Sequence, residues 1–114
     1  IKNKTIIKNV NKKSKYFQNI LNQFIYINKM NLKIYRYSSI LRIVYTKNKI
    51  DNRTQRDFFE NKISKKIDNF KKFLFQKNIY YPTSGIIFFS EATTYKNIDY
   101  VIKNIKIGFK KYLQ

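Results

Sequence analysis

The side chains best placed to do chemistry are three hydroxyls, Ser90, Thr93 and Thr94, grouped around Glu91 and Ala92 directly after the apolar run Ile86-Ile87-Phe88-Phe89. A serine that follows a strand can act as a nucleophile, but it needs a base to take its proton. The chain has no His, and the Gly-x-Ser-x-Gly pattern is absent. It also has no Cys, which removes thiol nucleophiles, disulfides and cysteine-zinc clusters. The six acids, Asp51, Asp57, Glu60, Asp68, Glu91 and Asp99, show no close metal-ligand pairing, and no Gly-rich phosphate cradle is present. These absences argue against an enzyme, a metal, a cofactor and a small-molecule substrate. A small Ser/Thr tip held out by a strand is suited instead to hydrogen-bonding phosphate and sugar oxygens.

Charge gives that tip a partner. Lys and Arg number 25 against 6 Asp and Glu, a formal charge of +19 on 114 residues, and self-repulsion of that size opposes compaction unless a polyanion compensates it. The basic residues cluster at Lys12-Lys13-Lys15, Lys62-Lys65-Lys66, Lys71-Lys72 and Lys110-Lys111, across the whole chain rather than in one tail. Together they point to nucleic acid. Ile, Lys, Asn, Tyr and Phe make up 74 of the 114 residues, which reads as the product of an AT-rich, organellar genome. Aromatics are 18% of the chain, and Phe17, Phe24, Phe73, Phe88 and Phe89 fall at positions expected to pack in a core rather than to stack on bases. The longest apolar runs hold four residues, far short of the roughly 20 that cross a bilayer.

The elements that must position these groups follow from periodicity. Lys4 to Val10 predicts a short strand, with a turn at Asn11-Lys12-Lys13 and Ser14 as a helix N-cap. Tyr16, Phe17, Ile20, Leu21, Phe24 and Ile25 predict an amphipathic helix. Leu32–Tyr37 and Ile40–Thr46, divided by Ser38-Ser39, predict two antiparallel strands. Phe58–Ser64 and Phe70–Phe75 are expected as strands, the second equally compatible with a helix. A strand over Ile86–Phe89, a short helix at Asn97–Ile102 and a closing strand from Ile105 to Leu113 complete the chain. The expected fold is α+β. A small α/β N-terminal lobe (β-α-β-β, residues 1–56) packs on a mostly β C-terminal lobe with a short helix (residues 57–114).

Lys62-Ile63-Ser64-Lys65, then about twenty residues, then Gly85-Ile86-Ile87-Phe88-Phe89-Ser90, a short helix, Asn104-Ile105 and a terminal strand with Tyr112 resemble the bacterial and organellar type of small ribosomal subunit protein eight. The family reads roughly Arg-Ile-Ser-Lys-Pro-Gly, Gly-Ile-Ala-Ile-Leu-Ser-Thr-Ser and a closing Asn-Ile-Gly-Gly-Glu strand. The stretch from Ile63 through Ser90 fits its spacing without a gap. In the first half, Ile6-Ile7, Ser14-Lys15 and Ile20-Leu21 stand where the family has a strand, a Ser-Lys step and its second helix; the family's first helix would precede Ile1. The chain departs from the pattern at Lys66-Ile67, at Glu91-Ala92 and at Gly108.

The resemblance implies a mitochondrial or other organellar ribosomal protein that braces the central domain of small-subunit rRNA beside neighbouring ribosomal proteins. Carried over by position, with the clustered lysines beside them, the implied RNA contacts are Ser14, Lys15, Lys62, Ser64, Lys65, Lys66 and Ser90. Thr93 and Thr94 replace the family's lost hydroxyls, and Lys96 compensates Glu91. RNA helices present 2′-hydroxyls in a shallow minor groove, which suits small polar side chains. The second possibility is a basic accessory subunit of an organellar membrane complex, held by acidic protein or anionic lipid.

Overall fold

A computed structural model of the chain describes residues 2–47, 52–82 and 85–114. Its elements are helix α1 (Lys2–Ile27), strands β1 (Lys33–Tyr37) and β2 (Ile40–Val44), helices α2 (Arg53–Lys62) and α3 (Ser64–Gln76), strand β3 (Ile86–Phe88) and helix α4 (Tyr95–Gly108). The last helix runs into a π-helical turn, Phe109–Leu113. Helices hold most of the described residues, and three of the four elements between Arg53 and Gly108 are helical, so the mostly β C-terminal lobe is overturned.

The hairpin β1–β2 forms as its alternation predicts, with Ser38 at φ 56° in the turn and Tyr37 opposite Ile40. β3 adds to the other side of β2, Phe88 opposite Ile40, to give one antiparallel sheet in the order β1-β2-β3. One face of the sheet contributes Ile34, Leu41 and Ile43 to a core shared with Phe17, Leu21 and Ile25 of α1. The same core takes in Ile67, Phe70 and Leu74 of α3, and Ile98, Ile102 and Ile105 of α4 with Phe109 of the π-helical turn. Asn22 closes the free edge of β1. Its Oδ1 accepts from the Ile34 amide at 2.9 Å and its Nδ2 donates to the Ile34 carbonyl at 3.1 Å, pairing backbone groups that an edge strand otherwise leaves open.

Residues 4 to 14 depart from the expected order of elements. The predicted strand, turn and N-cap are one uninterrupted helix, because Val10, Ser14, Phe17, Leu21 and Ile25 continue a single 4-3-4-4 stripe toward the core. Ser14 imitates a cap in sequence but lies mid-helix with no exposed surface, its hydroxyl donating to the Ser39 carbonyl at 3.1 Å. Phe58–Ser64 and Phe70–Phe75 fall in α2 and α3. There Ile63, Ile67, Phe70 and Leu74 repeat at helical spacing, and that packing overrides the local β propensity of the aromatics.

The expected closing strand is the end of α4 and its π-helical turn. Ile98, Ile102, Ile105 and Phe109 make the buried stripe, while Ile107, which the alternating pattern would have buried, is 44% exposed. Gly108 lets α4 approach α3. A Cβ there would stand 2.7 Å from two carbons of the Phe70 ring. The predicted lobe boundary at residue 56 lies inside α2, and Thr83 and Ser84 of the turn before β3 lie outside the described residues.

Candidate nucleic-acid interface

α1 carries no acidic residue over 26 positions. Lys4, Lys8, Lys12 and Lys15 recur at spacings of four, four and three, so they share one helical stripe about 16 Å long, and all four are exposed. Like charges three and four residues apart repel by roughly 0.2–0.5 kcal/mol per pair, and lysines in the first turn oppose the helix dipole. The stripe is therefore a standing cost to the free protein, and an anion laid along it removes that cost.

Arg36 completes the site from β1. Its Nε donates to Gln18 Oε1 on α1 at 3.1 Å and an Nη to the Ser38 carbonyl at 2.9 Å. Two bonds fix the plane of the guanidinium, which leaves it ordered for bidentate contact with phosphate. The four lysines, Ile7, Asn11 and Arg36 together line an open groove of about 480 Å³. Lys12, Lys13 and Lys15, adjacent in sequence, part company on the helix. Lys12 and Lys15 face the groove, whereas Lys13 is only 9% exposed and its Nζ donates to the Glu91 carbonyl at 2.8 Å.

That bond ties α1 to the hydroxyl loop. Within the loop, Thr93 Oγ1 accepts from the Ser90 amide at 3.2 Å and lies 3.2 Å from Ser90 Oγ. Thr94 is the N-cap of α4, accepting from the Asn97 amide at 3.1 Å while Asn97 Oδ1 accepts from the Thr94 amide at 3.2 Å. Ser90 and Thr94 remain exposed, Thr93 is half-buried, and Lys96 projects from the first turn of α4. The loop hydroxyls thus hold the strand-to-helix connection as well as presenting oxygen atoms to solvent.

The other predicted contacts are separate. Lys62, Ser64, Lys65 and Lys66 are exposed at the α2–α3 junction, where Lys62 Nζ lies 4.5 Å from the centre of the Phe58 ring. Lys15 belongs to the α1 groove, and Ser14 is turned toward the hairpin. Lys4, Lys8 and Arg36 escaped sequence reasoning. The first two lay in a stretch assigned to a strand, where a spacing of four marks no common face beyond ordinary alternation, and Arg36 needs the helix beside it before it lines anything. The i, i+4, i+8, i+11 lysine spacing was the available signal. No family model matches the chain and no curated protein matches it. Among the described residues, no helix is long and apolar enough to cross a membrane.

Proposed function

We propose that this chain is a structural RNA-binding protein of an organellar ribosomal small subunit, gripping rRNA through the phosphate backbone. The observation that carries this is the acid-free α1 stripe of Lys4, Lys8, Lys12 and Lys15 with the two-point-anchored Arg36 beside it, on a chain of net charge +19. The order and spacing of Lys62–Lys65 and Gly85–Ser90 support the ribosomal setting, and the AT-coded composition supports an organellar one. The grip is assigned to α1 because the β lobe that the family resemblance implies is replaced by helices.

Chemically the site works by charge and shape alone. Phosphates that settle along the stripe displace condensed counterions, so affinity falls as salt rises, by a slope of about 0.9 per phosphate on a duplex. The groove is shallow and open, which suits a rounded backbone rather than a buried ligand. Ribonuclease treatment of the native particle tests the reading, because release of the chain is expected. Retention after complete RNA digestion, with binding to anionic vesicles, overturns it in favour of a membrane-complex subunit.

A further inference from the structure

The face of the sheet turned away from α1 is exposed and aromatic at its Tyr37–Ile40–Phe88 end, whereas toward the other end Val44 is buried and Arg42 is paired with Glu60 of α2 at 3.2 Å. Strand alternation sends Ile34 and Arg36 toward α1 and leaves Tyr35 and Tyr37 on the other side. Tyr37 is 83% exposed and Phe88 70% exposed, although Phe88 looked like a core residue in sequence. The register lines them up: Tyr37 faces Ile40 and Ile40 faces Phe88, while Tyr35 lies one row along, in the row that ends at Ile86. Lys33 Nζ stands 4.8 Å from the centre of the Tyr35 ring.

The protein exposes rings on β1 and β3 with Ile40 between them at a cost in hydration, and such a patch marks a binding surface. Two properties select its occupant. Tyr35 and Tyr37 are two residues apart on one strand, about 6.7 Å, close to the rise across two stacked bases. The rings are bordered by Lys33 on the same strand, with Arg36 of the groove between the two tyrosines and pointing to the opposite side. Charge complementarity on this edge therefore calls for an anionic chain that also carries flat π faces.

We infer that the outer sheet face is a stacking platform for unpaired bases of a single-stranded RNA segment, with Tyr37 and Phe88 as the main stacking rings and Tyr35 with Lys33 as the flank. This rests on the RNA-binding reading of the α1 groove and adds a second specificity to it. The groove holds backbone of any geometry, and the sheet face holds only bases free of a partner strand. Because β1 lies between the two surfaces, one RNA strand crossing its end can engage both.

The test measures binding of the purified full chain to a labelled short oligouridylate and to an RNA duplex of the same length, by fluorescence anisotropy. A stacked base is worth about 5- to 150-fold in affinity, so Tyr37→Ala with Phe88→Ala is expected to weaken oligouridylate by about 30-fold or more and duplex by less than about twofold. Tyr37→Phe keeps the ring and is expected to bind both as the parent does. Photocrosslinking of the parent chain to oligo-4-thiouridine, mapped by mass spectrometry, should mark Tyr37 or Phe88 and does not depend on the variants. Equal weakening of both RNAs, or no weakening of either while the parent binds RNA, overturns the platform alone. So does crosslinking confined to other residues, or a loss of self-association in the alanine variant with RNA binding intact. A parent chain that binds neither RNA overturns the groove reading and the platform together.

Discussion

Two regions of the molecule are built on opposite terms. Where α4 meets α3, the helices approach until a glycine is required, and Phe70, Phe73 and Phe109 fill the space around it. The first three turns of α1 project lysines into solvent and contribute no fully buried side chain among residues 4–12. Packing dictates the first region and charge the second. A substitution at the helical end should register as lost stability with little change in RNA binding per folded molecule. One on the α1 stripe should do the reverse.

The largest break in that contrast comes from the helical end. Phe70→Ala removes a ring with no exposed surface that touches Tyr81 and Phe109, and it is expected to cost about 3–5 kcal/mol in urea unfolding. Gly108→Ala places a methyl 2.7 Å from that same ring, and overpacking of this kind should cost about 1–3 kcal/mol; a variant as stable as the parent would show that α3 and α4 can slide apart freely.

A buried tyrosine pair gives the next effect. The hydroxyls of Tyr45 and Tyr81 are 3.2 Å apart in the core, and Tyr81→Phe strands its partner at a cost of about 1–3 kcal/mol, whereas changing both to Phe should cost less. Burial raises the ionisation of both phenols above their ordinary 10.0. Because the folded values exceed the unfolded ones, their contribution is fully present below about pH 10 and is lost as pH rises past it. Tyrosinate absorbance from these two rings should therefore appear only together with unfolding.

The smallest change in stability belongs to α1 and sharpens the contrast most. Lys8→Gln with Lys12→Gln is expected to stabilise the free protein by a few tenths of a kcal/mol through relieved repulsion. The same variant should reduce the salt slope of RNA binding by about 2. A loss of stability instead would mean that the lysines already have partners within the fold.

Legibility in the sequence followed the same division. The hairpin was readable because Leu32–Tyr37 and Ile40–Thr46 alternate around Ser38-Ser39, and β3 because Gly85, at φ 76°, opens it. The continuity of α1 is hidden in the sequence because Ser14 looks like a cap and Ile6-Ile7 looks like a strand; only the hairpin to which the Ser14 hydroxyl donates shows why a serine stands mid-helix. The helices of the second half were hidden by aromatics whose β propensity is real but weaker than the packing they enter. For the interface, exposed Lys15, Ser90 and Lys96 were legible from charge and loop chemistry. The groove was not, since it depends on a helix face, and Phe88 was not, since an alternating strand places large apolar residues on either side of a sheet without saying which side is covered.

Lys13 gives the molecule a built-in reporter. Its amine is held against the Glu91 carbonyl while Lys12 and Lys15 stand open on either side. In amine-acylation footprinting the three neighbours should label at unequal rates, Lys13 slowest. The ratio within that one peptide would read out how often the loop before α4 lifts from α1, with the flanking lysines as internal standards and RNA occupancy visible as their own protection.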